Sequence, residues 1–145
     1  MKIFITGATS FIGQIFSEEL LNYESKKIMI TDIIQSPIPY GSTYYQNAET
    51  IQADLVEARL QTSSTKTLML PSSPRRNVFC FGEADFELGY RVNLDATRCL
   101  LPALAKTCPG VRVPYASSEA VYVSPIPKWV VTEADIPIPE MSYGC

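Results

Sequence analysis

The chain has 145 residues, 46% hydrophobic and 19% charged, with a net charge of −3. That length suits one layered unit around one core rather than a two-domain enzyme, and the acidic balance argues against nucleic acid as a partner. With no histidine anywhere, imidazole catalysis and histidine metal sites are excluded.

Taken in order, Lys2-Ile3-Phe4-Ile5 is an apolar run of strand length. It meets the turn Thr6-Gly7-Ala8-Thr9-Ser10-Phe11-Ile12-Gly13, which passes into a helix with Ile12, Ile15, Phe16 and Leu20 on one face. Strand, glycine turn and helix in this order present free backbone N–H groups and the positive end of a helix dipole to a pyrophosphate. Gly7 is expected to make the turn, and Gly13 to let the helix lie close on the strand. An ordinary strand-to-helix turn would use similar small residues, so a second signal is needed. Lys27-Ile28-Met29-Ile30-Thr31-Asp32 reads as the next strand, with Asp32 lying 19 residues beyond Gly13, near the roughly 20-residue spacing of a ribose-binding carboxylate. An acid there accepts from ribose hydroxyls and repels a 2′-phosphate. NAD is therefore favoured over NADP.

Residues 33 to 49 read as a long surface connection, with Tyr44 and Tyr45 either lining an adenosine site or packing on their own surface. Thr50 to Leu55 reads as a third strand with Asp54 at its carboxyl end. A weak helix follows from Glu57 to Gln61. Leu68-Met69-Leu70 and Val78-Phe79-Cys80-Phe81 compete for the fourth strand, the second being favoured. Arg75 and Arg76 read as a solvated turn. Glu83 to Thr107 reads as one long helix with Phe86, Val92, Cys99, Leu100, Ala103 and Leu104 inward, stopped by Cys108-Pro109-Gly110. Pro102 predicts a kink or boundary near Leu101, because an interior proline costs a helix ~3 kcal/mol. Val111 to Ser118 reads as a fifth strand that Pro114 would interrupt, and a proline-punctuated loop follows. Cys80, Cys99, Cys108 and Cys145 show neither metal nor redox-pair spacing, so no metal is expected. No run approaches the ~20 apolar residues of a membrane span. No signal peptide precedes the first strand, so the expectation is a cytoplasmic protein without a membrane partner.

These residues together resemble a family, the extended short-chain dehydrogenase/reductases, or NAD-dependent epimerase/dehydratases. The resemblance rests on Thr6 to Gly13, Asp32, Asp54-Leu55, Arg91-Val92-Asn93-Leu94-Asp95-Ala96-Thr97, Ala116-Ser117-Ser118-Glu119-Ala120-Val121-Tyr122 and Ser142-Tyr143-Gly144. Glu83 to Tyr90 looks most like the branch containing D-erythronate dehydrogenase and its fungal relatives. The implied fold is α/β, a Rossmann-type doubly wound parallel sheet incomplete at its C-terminal side, with residues 1–145 as an NAD-binding domain. The implied chemistry is hydride transfer between NAD and a carbinol carbon of a sugar acid or sugar derivative.

In that family a Tyr-x-x-x-Lys tyrosine is the acid/base, held near a Ser or Thr, and the Lys lowers the phenol pKa. The logic is physical, since an unperturbed phenol ionises near pH ~10 and is a poor base at neutrality without a fixed cation. By position, the resemblance makes Tyr143 the acid/base and Ser118 the orienting hydroxyl. Gly7, Ser10, Phe11, Ile12 and Gly13 would hold the pyrophosphate, Asp32 the adenosine ribose, Asp54 and Leu55 the adenine edge, and Asn93 would sit beside the cofactor. Each has a plainer alternative: Ser118 or Asp54 as a cap, Asn93 as a helix-surface amide. A homodimer through the Glu83 to Thr107 helix is a further implication.

The sequence departs from the family pattern in four places. No lysine follows Tyr143, Phe81-Gly82-Glu83 leaves almost no loop after the strand, Ser10 stands for a middle glycine, and Val123 stands for a turn glycine. The expectation is a chain that binds NAD and turns over weakly or not at all. The alternatives are a non-catalytic nucleotide-binding or inert fragment, and a nucleotide-sugar epimerase or dehydratase.

Overall fold

The computed structural model describes residues 1–55, 67–69, 85–122, 130–140 and 142–144, with backbone alone at 67–69 and 142. Four strands, β1 (Lys2–Ile5), β2 (Lys27–Asp32), β3 (Ala48–Gln52) and β4 (Thr67–Met69), form a sheet in the order β3-β2-β1-β4. All the pairings are parallel, with Ile3 beside Ile28 and Thr67, and Asp32 beside Gln52. The chain leaves β1 in one direction for β2 and β3 and reaches β4 on the other side, the strand order of a doubly wound sheet.

Alternation along β1 sends its residues to two faces. Ile3 and Ile5 join Ile28, Ile30, Ala48, Ala8 and Leu21 on the side of α1 (Phe11–Leu20). Phe4, fully buried, points the other way onto Leu100 and Leu104 of α3 (Ala96–Thr107). Helical layers on both faces explain why β1 and β2 read as continuous apolar runs.

The expected face of α1 meets the sheet only in part: Leu20 packs against the core and Ile12 is half-buried, but Ile15 and Phe16 turn away. Gly13 and Ser17 are buried and Leu21 just beyond is fully buried, whereas Ile15 and Phe16 are 49% and 42% exposed. The cause is the close approach at Gly13, which turns a ridge of small residues inward and rotates the larger ones out.

Residues 33 to 47 run from the carboxyl edge of β2 back along α1 to the start of β3. The Ser42 hydroxyl donates to the Glu18 carbonyl, and the Tyr44 amide to the Leu21 carbonyl. Tyr45 sits edge-on to Tyr40 at 5.4 Å. Tyr45 thus packs on the loop's own surface.

The fourth strand is a correction. Thr67–Met69 takes the place beside β1, while Val78 to Phe81 lies outside the described residues, as do the Glu57 to Gln61 helix, Arg75 and Arg76. The long helix is also interrupted. A short α2 (Phe86–Tyr90), capped by Asp85 accepting from the Leu88 amide at 3.0 Å, passes through a π turn at Arg91–Asp95 into α3. The wider turn shifts the helical phase, so one inward face cannot run through both parts. Leu100 and Leu104 are buried, but Phe86 is 53% exposed against Tyr90 and Cys99 is exposed. Pro102 makes no boundary: α3 runs through it to Thr107. Pro102 and Arg98, whose carbonyl loses its donor, are both exposed, so water can take the missing bond.

The expected fifth strand does not form. Arg112 and Tyr115 make only isolated bridges, while Val111 and Val113 still pack beneath Phe4. Pro114, lacking an N–H, accounts for the interruption. Among the described residues no helix is long and apolar enough to cross a membrane.

Candidate functional site

Because the strands are parallel, the segments that follow them gather at one edge. Gly7 to Gly13 follows β1, Asp32 ends β2, and Asp54 and Leu55 follow β3. Gly7 has φ +60°, a conformation that favours glycine. A Cβ at Gly13 would run into the Gly7 carbonyl oxygen and lie 2.8 Å from Ala8 Cα, so the helix can start this close only with glycine there.

Ser10, the departure from a middle glycine, is accommodated. Its backbone is extended (φ −71°, ψ 160°), which any residue adopts. Its side chain turns inward as the helix cap, Oγ accepting from the Gly13 amide at 3.0 Å. The hydroxyl therefore stays clear of the approach to the turn but uses one of the donors an anion could take. Phe11 and Ile12, exposed and half-buried, keep their amides as the uncapped donors of the first turn.

Asp32 is only 7% exposed and is bound to the turn itself. Its Oδ2 accepts from the Thr9 amide at 3.0 Å and the Thr9 hydroxyl at 2.5 Å, and its Oδ1 from the Ile33 amide at 2.7 Å. The Ala8 amide also donates to the Thr31 carbonyl. Thr9 was not among the residues expected from sequence. The signal was the in-register pairing of β1 with β2, which brings the residue after the Gly7 turn beside the carboxylate that ends β2.

Asp54 lies within reach of Arg91, whose guanidinium approaches its Oδ2 at 3.3 Å. Leu55 packs under the Phe4 cluster. Arg91 opens the π turn that carries Asn93, whose Nδ2 is buried without a partner among the described residues. Such turns are common at functional sites, and a buried donor without an acceptor is unfavourable unless a ligand or water supplies one.

Ser118 caps a 3₁₀ turn at Glu119–Val121, its Oγ accepting from the Ala120 amide at 3.2 Å. Tyr143, half-buried, lies in the turn Ser142–Gly144. The two turns pack together, with buried Gly144 so close to the Ala120 carbonyl that no Cβ would fit, and the second turn also meets α2. Asp54, Arg91, Asn93, α2, Tyr143 and Ser118 therefore follow one another across a continuous stretch of structure. Val123 and the short loop after Phe81 lie outside the described residues, among which no cluster of metal-ligating side chains occurs.

No family model matches the chain. Two curated proteins named D-erythronate dehydrogenase do. The Cupriavidus necator protein is 47% identical over 62 residues, 43% of this chain and 19% of that protein. The Haemophilus influenzae protein is 26% identical over 99% of this chain and 46% of its own length. Among solved structures, a nucleoside-diphosphate-sugar epimerase from Agrobacterium tumefaciens superposes with a TM-score of 0.80 at 29% identity, over 99% of this chain and 44% of its own. MoeE5, solved with UDP-glucuronic acid and NAD, gives 0.80 at 30% over 99% and 45%. In sequence and fold the chain is similar to members of the extended short-chain dehydrogenase/reductase family. Its fold is the Rossmann-type parallel sheet with helices of that family's epimerases, and it spans less than half the length of each of these relatives.

Proposed function

We propose that this chain binds NAD across the carboxyl edge of β1 and β2, as the cofactor half of an NAD-dependent oxidoreductase acting on a sugar acid or sugar derivative. One observation carries the reading: the left-handed turn at Gly7, the helix start pressed against it at Gly13, and the Asp32 carboxylate hydrogen-bonded to that turn form a single unit. The residues fit the cofactor. Uncapped amides at Phe11 and Ile12 suit a pyrophosphate, a buried carboxylate suits a ribose diol, and the unpartnered Asn93 amide suits a polar group arriving beside α2. The buried charge at Asp32 disfavours a 2′-phosphate.

The cofactor, when bound, supplies the hydride acceptor. Tyr143 would take the substrate hydroxyl proton, and Ser118, on the adjoining turn, would steady the oxygen that loses it. These 145 residues supply no lysine after Tyr143, so a polypeptide of this sequence alone should show little or no turnover. The two relatives named D-erythronate dehydrogenase support a sugar-acid substrate. A nucleotide-sugar epimerase or dehydratase is the second reading, supported by the likeness to the Agrobacterium tumefaciens epimerase.

Titration with NADH and with NADPH, followed by nicotinamide fluorescence, tests the proposal. Saturable NADH binding at least about tenfold tighter than NADPH binding is expected. A folded chain that binds neither would overturn it.

A further inference from the structure

We infer that the Thr9 hydroxyl is a second ligand for the adenosine ribose, taking one of its two hydroxyls while Asp32 takes the other. The inference rests on the NAD reading above and concerns a residue that reading leaves unassigned.

Asp32 has fewer free acceptor sites than a ribose diol has donors. A carboxylate offers about four lone-pair sites, two on each oxygen. At Asp32, Oδ2 already receives two donors, the Thr9 amide and the Thr9 hydroxyl. Oδ1 receives the Ile33 amide. Among the described residues that leaves one site, on Oδ1, and a ribose diol arrives with two O–H donors. The carboxylate cannot accept both without giving up a bond it already makes.

Thr9 supplies the second acceptor. A hydroxyl that donates keeps two acceptor lone pairs, and among the described residues no donor reaches Thr9 Oγ1. Its proton is committed to Asp32 across a 2.5 Å bond to a charged oxygen, which makes Oγ1 a stronger acceptor through cooperativity. Thr9 is half-buried whereas Asp32 is buried, so Thr9 is the more accessible residue of the pair. The Thr9 amide shares the same carboxylate oxygen, fixing the residue where the turn meets β2. Thr9 and Asp32 thus form one diol-binding unit in which each contributes one acceptor.

The test uses the unaltered chain with three ligands: NADH and its analogues lacking the adenosine 2′- or 3′-hydroxyl. Removing either hydroxyl is expected to weaken binding, because each has its own acceptor. Thr9→Val should bind NADH about fivefold to tenfold more weakly, and Thr9→Ser within about twofold of the unaltered chain. For one of the two deoxy analogues Thr9→Val and the unaltered chain should bind alike. A staple that merely holds the turn would lower binding of all three ligands by the same factor, and that result overturns the inference. So does a deoxy analogue that binds the unaltered chain as well as NADH does, a reading that survives even if Thr9→Val fails to fold. An unaltered folded chain that binds no NADH would instead overturn the NAD reading itself, and this inference with it.

Discussion

The two ends of the proposed cofactor region are built differently. At the amino-terminal end, the turn after β1 is locked to β2 by hydrogen bonds from Thr9 to Asp32 and from Ala8 to Thr31, and the Ser10 side chain caps α1 by accepting from Gly13. At the tyrosine end, Ser118 and Tyr143 sit on short 3₁₀ turns held by packing of Gly144 on Ala120 and by contact with α2. The first end is assembled by neighbours in sequence within one β-α-β unit. The second depends on segments far apart in the chain meeting one another. The binding end should therefore be robust where the tyrosine end is sensitive.

Phe4 ties the sheet of the amino-terminal end to α3, and breaking it should have the largest effect. It is fully buried in β1 yet packs on Leu100 and Leu104 of α3. Phe4→Ala should cost about 3–5 kcal/mol in thermal or urea unfolding, as a large core truncation does. A loss below about 1 kcal/mol would show that α3 does not depend on the sheet.

Ser10 sharpens the comparison at the binding end. Ser10→Ala removes the cap on Gly13 and should cost about 1 kcal/mol, while Ser10→Gly should cost only a few tenths. Ser10→Gly also frees the Gly13 amide and should leave NADH affinity unchanged or improved.

The smallest effect belongs to the link between the two ends. Arg91 and Asp54 are paired at 3.3 Å with side chains 50% and 37% exposed, and exposed pairs contribute about 0–1 kcal/mol. Arg91→Ala should shift stability by under about 0.5 kcal/mol, and the shift should vanish at high salt. A larger, salt-insensitive loss would make this pair a structural tie.

The sequence was most legible where one short pattern determines the structure. The span of β2 reads directly because its apolar run ends in Asp32, and the glycines of the turn have the geometry their spacing requires. Legibility failed where contacts from elsewhere decide. The face of α1 that meets the sheet is set by the collision a side chain at residue 13 would make with Gly7, a constraint invisible to hydrophobic periodicity. The π turn at Arg91–Asp95 broke the phase on which Phe86 and Cys99 were expected inward. Pro114 flagged trouble in the fifth strand, but only the structure shows Val111 and Val113 retaining their place under Phe4 without a ladder. Thr9 carried no signal by itself, since its role depends on where β2 ends.

Whether Asp32 and the turn it binds form an NAD site is decided by the NADH and NADPH titration repeated on Asp32→Ala. The substitution should weaken NADH by about tenfold or more while NADPH changes far less, so that the preference between the two cofactors collapses. A folded Asp32→Ala chain that keeps both its NADH affinity and its preference would contradict an NAD site there.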